Sequence, residues 1–165
     1  MGAGTVGPAQ IDQAVLPINV TDAVLPINLS GSVEPLEVQQ THGATSTVTI
    51  SADVLFAFDK ATLTPQALRT IADVARRIPH HPGTTVHVDG YTDSIGTPAY
   101  NQSLSQRRAA AVAAALKQDL AAAAPTIIAT GHGEANPVAP NQLNGKDNPA
   151  GRAKNRRVTI AFPHS

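Results

Sequence analysis

The stretch GYTDSIGTPAYNQSLSQRRAAAV, residues 90–112, holds the side chains best suited to reading a charged ligand: Asp93 in an acidic turn, then Arg107 and Arg108 at the head of an alanine-rich run. Two adjacent arginines on a helix point about 100° apart, so they cannot share one environment. With Leu104 at zero, Val112 falls at roughly 80°, Leu116 at roughly 120° and Leu120 at roughly 160°, which defines the packing face. Arg108 falls at roughly 40°, inside that arc with Asn101 and Ser105 beside it, whereas Arg107 falls at roughly 300° beside Gln118. Arg108 is therefore expected at the edge of the core, and Arg107 in water. A guanidinium so placed must meet an anion or carbonyl groups, because an unpaired buried charge is very costly.

Asp93 is the nearest candidate in sequence. Two arrangements are open. In one, Asp93 makes an Asx turn ahead of Gly96 and closes an internal ion pair with Arg108. In the other, the two charges are held slightly apart around a zwitterion, such as an α-amino acid head group. Its ammonium would go to Asp93 and its carboxylate to the Arg108 fork. Backbone N–H groups of the turn through Ser94, Ile95 and Gly96, and the start of the following helix, would assist with the carboxylate.

Other chemistry-bearing residues are weaker. His132 and Glu134 stand two apart in a Gly-rich loop, and no second histidine sits at a metal-ligand spacing. His80-His81 between prolines reads as a solvated turn. Arg156 has the inward parity of Val158, Ile160 and Phe162, and Arg157 the opposite one; the pair could equally form a charged strand end packed against Asp93 or touch a ligand. A hydrolase built on Asp93 or Asp89 with His132 would need an activated nucleophile. Ser94 and Ser105 are present, but no nucleophile elbow, metal cluster or phosphate loop surrounds them. No cofactor motif is read.

These residues need elements to carry them. STVTISADVLFAF reads as a strand with a bend near Ala52-Asp53. LTPQALRTIADVARRIPHHPG reads as a helix capped by Thr64, opened by Pro65 and stopped by Pro79, with Leu68, Ile71, Ala75 and Ile78 inward and Asp73 paired to Arg76 or Arg77. TTVHVDG alternates as a strand, residues 101–124 form the long helix, TIIATG is a buried strand, and RRVTIAF closes the chain after a loop over 131–151. The order β-α-β-α-β-β predicts an α/β two-layer sandwich, with two main helices on one face of a mixed sheet of about four strands.

The chain has 165 residues, enough for one core plus a tail. Its formal net charge is zero, without a basic block, so no nucleic-acid footprint is expected. No cysteine is present, which excludes disulfides and thiolate metal sites. No apolar run is long enough to span a membrane, and the first ten residues are not an intact secretory signal. Either an export signal or anchor is expected upstream or the protein is cytosolic, and composition alone does not choose; membrane attachment would come through a part of the protein not in this chain. Residues 1–44 form an extended, Pro-containing segment carrying AVLPIN twice, at 14–19 and 23–28; the folded domain is expected over 45–165. The segment is a linker or a surface for other proteins, and an assembly module pairing through it by strand addition is the alternative function.

The motifs above, with GHGEANPVAPN and GRAKNRRVTI, resemble the OmpA-like peptidoglycan-binding domain, whose pattern includes a G-H-T-D-x-x-G turn, N-x-x-L-S-x-x-R-A and G-R-x-x-N-R-R-V. The resemblance runs from about Val48 to Phe162 and includes FAFDKATLTPQAL. It implies a two-layer α/β fold and a non-enzymatic role: non-covalent binding of the peptidoglycan stem peptide, typically at meso-diaminopimelate, which anchors a cell-envelope protein to the wall. The family's aspartate falls on Asp93, its arginine on Arg108, its asparagine on Asn101 and its N-R-R triplet on Asn155, Arg156 and Arg157; Thr92 would be a direct backbone or hydroxyl contact. Tyr91 departs from the pattern, standing where the family usually has histidine, which puts in doubt any pH sensitivity of that position.

Overall fold

A computed structural model describes residues 37–79, 83–120 and 125–164. The AVLPIN repeat, His80-His81 and the last four residues of the expected long helix lie outside them. Seven strands and four helices follow in chain order: β1 (Glu37–His42), β2 (Thr45–Ser51), α1 (Ala52–Leu55), α2 (Pro65–Ala75), β3 (Thr85–Gly90), α3 (Pro98–Leu120), β4 (Thr126–Gly131), β5 (Gln142–Leu143), β6 (Lys146–Asp147), α4 (Pro149–Asn155) and β7 (Arg157–Pro163). The main sheet has the order β1-β2-β7-β3-β4. β3 and β4 run parallel across the α3 crossover, and the other neighbours run antiparallel. It is a mixed, two-layer α/β fold.

Alternation buries one face of the three central strands. Val48 and Ile50 of β2, Val86 and Val88 of β3, and Val158 and Ile160 of β7 have no exposed surface. Against them lie Ala67, Ile71 and Val74 of α2 and Val112 and Leu116 of α3, in one hydrophobic cluster. Thr64 caps α2 as expected: its Oγ1 accepts from Ala67 N at 3.0 Å and donates to Val54 O at 3.3 Å. Burying about ten such aliphatic side chains at roughly 1.5–3 kcal/mol each supplies the drive that orders the loops above them.

Several expectations are corrected. The sheet has five strands, because β1 pairs with β2 through Glu37↔Ile50 to His42↔Thr45. This strand lies N-terminal to residue 45, where the sequence suggested the folded region begins. Five of its six residues are exposed, so it carries no alternating apolar signal. The bend after β2 is a helical turn, capped by Ser51. Leu68 is 47% exposed, and Ala67 and Val74 take its place in the core. Asp73 pairs with Arg76, while Arg77 reaches Glu37. α3 begins at Pro98, three residues before Asn101. TIIATG is an edge strand rather than a buried one, with Ile128 43% exposed. The loop over 131–151 holds the β5–β6 hairpin and the start of α4, hidden among Gly, Asn and Pro.

Two glycines set the height of α3 over the sheet. Gly90 and Gly131 are register partners on β3 and β4. A Cβ on Gly90 would stand 2.4 Å from Ser105 O, and one on Gly131 2.3 Å from Gln106 N. The helix therefore rests on backbone there. Side chains stitch it down: Gln102 Nε2 donates to Gly131 O at 2.7 Å, Gln106 Oε1 accepts from Gly131 N at 2.7 Å, and Ser105 Oγ accepts from Gly133 N at 2.9 Å.

Candidate functional site

Beyond the C-terminal end of β3, where the chain turns through Thr92 and Asp93 toward α3, lies a cavity of about 400 Å³. Its floor carries Thr92, Asp93, Asn101, Leu104 and Arg108; Asp53, Arg152 and Arg156 form one wall, and Phe58, Asp59, Ile95 and Tyr100 the rim. Four separate stretches of chain meet here: α1, the loop before α2, the β3–α3 connection running on into α3, and α4 with its C-cap Arg156.

Arg108 is 5% exposed. Its Nε donates to Lys60 O at 2.9 Å, and its guanidinium carbon lies 5.3 Å over the Phe56 ring. Burial pulls its pKa down, opposed by the charges of Asp53 and Asp59. Its two terminal nitrogens have no carboxylate partner among the described residues. Arg107 is exposed and donates to Ser103 Oγ at 2.6 Å. The helical-wheel assignment of the two arginines holds.

Asp93 makes the expected Asx turn, its Oδ1 accepting from Ile95 N at 3.0 Å. The internal ion pair with Arg108 is not formed. Asp93 Oδ2 instead accepts from Arg156 Nη1 at 2.9 Å, with Arg152 Nε at 3.7 Å. Arg156 also grips Asp53 with its other two nitrogens, Nε to Oδ1 at 3.0 Å and Nη2 to Oδ2 at 2.6 Å. The hydrogen bond to Asp53, more than that to Asp93, drives the Arg156 pKa well above its ordinary value. Arg152 pairs with Asp147 of the small hairpin. Asp59, at φ 56°, accepts from the Tyr100 hydroxyl across the rim.

The remaining expected residues divide. Thr92 lines the floor, and its buried Oγ1 has no hydrogen-bond partner among the described residues. Asn101 Nδ2 donates to Asp93 O at 3.3 Å and to Glu134 Oε2 at 3.2 Å, tying the turn to α3. Gly96, at φ 105°, lets the chain enter α3. Ser94 and Gly96 are exposed and do not line the cavity, and the Ile95 N–H is already given to Asp93, leaving its 63% exposed side chain at the rim. Arg157 is not brought to the cavity. Its guanidinium lies 3.8 Å from the Tyr91 ring centroid and its Nη2 donates to Asn136 O at 3.0 Å. Asn155 is structural: its Oδ1 accepts from Val138 N and Ala139 N, and its Nδ2 donates to Ala139 O and Asn141 Oδ1.

Sequence reasoning missed Asp53, Phe58, Asp59, Tyr100 and Arg152. The G-R spacing before N-R-R could have pointed to Arg152; no local signal marks the rest. Away from the cavity, His132 Nε2 lies 2.8 Å from Asp89 Oδ1 and its ring stacks on Tyr91 at 4.9 Å. No group of three metal-ligating side chains occurs among the described residues.

Three carboxylates and three guanidinium groups line the cavity, so its formal charges cancel. One cation, Arg108, has no carboxylate on its fork among the described residues. Such a wall repels neither half of a zwitterion and offers an accessible donor pair to a carboxylate.

Residues 55–156 match the model of the OmpA family. Outer membrane porin F of Pseudomonas fluorescens is 45% identical over 111 residues, 67% of this chain and 32% of that protein. Outer membrane protein A of Bordetella avium is 43% identical over 114 residues, 68% of this chain and 55% of that one. The chain thus spans a third to about half of the length of these relatives. Among solved structures, the cell wall anchor of the T6SS from Pseudomonas aeruginosa superposes with a TM-score of 0.62 at 33% identity, covering 79% of this chain and 89% of that one. The peptidoglycan-associated lipoprotein from Burkholderia pseudomallei gives a TM-score of 0.55 at 28% identity, covering 73% and 90%. With the family pattern matched across the turn, the long helix and the N-R-R strand entry, this chain belongs to the OmpA family.

Proposed function

We propose that this domain binds the stem peptide of peptidoglycan non-covalently and anchors a cell-envelope protein to the wall. The observation that carries the reading is buried Arg108, whose terminal nitrogens have no carboxylate partner among the described residues, lining a charge-balanced cavity together with Asp93. The free D-centre of meso-diaminopimelate is a zwitterion at the end of an aliphatic arm. Its carboxylate would take the Arg108 fork, its ammonium the remaining acceptor sites of Asp93, and the idle Thr92 hydroxyl a further polar atom. Arg156 Nη1 meets one oxygen of Asp93 at 2.9 Å, and Asn101 fixes the turn. Family membership, with a cell wall anchor and a peptidoglycan-associated lipoprotein among its structural neighbours, supports the same reading.

Binding rather than turnover fits the geometry. The Asp89–His132 pair that a hydrolase would use does not line the cavity, and Ser105 Oγ is engaged with Gln102 O and Gly133 N. Calorimetric titration with a diaminopimelate-containing stem peptide, beside a lysine-containing one, tests the proposal. Saturable heat with the first alone, lost in Arg108→Ala, is the expected result. Equal heats with both peptides would remove the zwitterion as the recognised feature, and no heat with either would remove stem-peptide binding.

A further inference from the structure

We propose that Asp53 is a positioning residue that keeps Asp93 open to an incoming ammonium by holding Arg156 away from a two-pronged grip on it. The proposal rests on the reading above that Asp93 receives that ammonium. Arg156 stands between two carboxylates and divides its nitrogens unequally. Asp53 takes Nε and Nη2 at 3.0 and 2.6 Å, in the side-on fork that guanidinium and carboxylate groups prefer. Asp93 receives only Nη1, at 2.9 Å on Oδ2.

Acceptor capacity makes that division matter. An ionised carboxylate has about four lone-pair sites. Asp93 spends one on Ile95 N and one on Arg156 Nη1, which leaves room for an ammonium. Were both terminal nitrogens of Arg156 to close on Asp93, a bidentate guanidinium would occupy both oxygens beside the Ile95 bond. Asp93 is 11% exposed, so little water competes with such a grip, whereas Asp53 is 53% exposed. Freed of Asp53, the arginine has every electrostatic reason to turn onto the drier carboxylate. Asp53 lies outside the turn, helix and strand-entry motifs, 40 residues before Asp93 and 103 before Arg156.

Asp53→Asn tests this with the fold preserved, since the α1 cap uses the Asp53 backbone N–H and the Ser51 side chain. A crystal structure of the variant is expected to show Arg156 with both terminal nitrogens on Asp93; Arg156 left where it now stands overturns the proposal, whatever the ligand. In calorimetry, Asp53→Asn is expected to bind the diaminopimelate stem peptide about tenfold more weakly, and adding Arg156→Gln should restore affinity to within about threefold of the parent. A double variant as weak as Asp53→Asn would also overturn it, because a merely structural loss is not repaired by removing the arginine. If the unmodified protein bound no stem peptide, the peptidoglycan reading would fall, and the crystal structure alone would decide the role of Asp53.

Discussion

Arg108 gives its Nε to the carbonyl of Lys60 at 2.9 Å and leaves its two terminal nitrogens to the cavity. The single backbone bond orients the fork without consuming it. The Phe56 ring beneath steadies the charge while offering nothing to the terminal N–H groups. Preorganisation of this kind lowers the ordering cost of binding, since the long arginine side chain is already held.

Arg108→Ala is therefore expected to abolish detectable stem-peptide binding, a loss of about 2–5 kcal/mol for one member of a desolvated charge pair. Arg108→Lys should restore little, because an ammonium cannot fork onto a carboxylate. Arg107→Ala should bind like the parent, as its side chain is exposed and, among the described residues, hydrogen-bonded to Ser103 alone. Calorimetry on the three variants, with circular dichroism to verify the fold, reads the contrast; equal losses at both positions would contradict it.

Asp93 carries structure as well as binding. Asp93→Ala leaves Ile95 N and Arg156 Nη1 without their acceptor, at a cost of about 1–3 kcal/mol of stability. Asp93→Asn can keep the Asx bond while discarding the charge. Chemical denaturation should thus find the Asn variant closer to the parent than the Ala variant, while both lose stem-peptide affinity. Two variants equally stable would show that the turn does not depend on the side-chain bond.

Gly90→Ala and Gly131→Ala probe the seat of α3. Each new Cβ would collide with helix backbone, at 2.4 Å from Ser105 O and 2.3 Å from Gln106 N, and neither can yield as a flexible side chain would. Each substitution is expected to cost about 3 kcal/mol, read by urea denaturation, because the helix must lift. The same lift moves Arg108, so residual folded protein should bind weakly. Unchanged stability in either variant would mean that α3 sits higher than described.

Alkaline stability should depend on two tyrosines. Burial, assisted by Asp89, raises the Tyr91 pKa, and the hydrogen bond to Asp59 raises that of Tyr100. A folded-state pKa above the unfolded value of 10.0 favours the protonated form in the native protein. Its contribution is fully present below the unfolded pKa and is lost as pH rises through the folded one. Unfolding free energy should accordingly decline above about pH 10. Replacing both residues by Phe should flatten that decline, as measured by denaturation at stepped pH; an unaltered slope would assign it to other groups.

What the sequence by itself determined is what short-range periodicity can encode. Alternation picked out Val86, Val88, Val158, Ile160 and Phe162 as inward, and the 100° step of the helix turned Arg108 in and Arg107 out. The Thr64–Pro65 cap and the Asp93 Asx turn are likewise settled within three residues of chain. Partnership between distant residues was left to the tertiary structure. Arg108 lay nearest Asp93 in sequence among candidate partners, yet Arg156 reached it first because β7 inserts between β2 and β3 and brings the residue just before it to that end of the sheet. Asp53, Asp59, Tyr100 and Arg152 join the cavity from separate elements and have no periodicity to betray them. β1 and α4 stayed hidden for a related reason: an exposed edge strand and a short helix among Gly, Asn and Pro bury too few apolar side chains to leave a pattern, and only the neighbours they pair with define them.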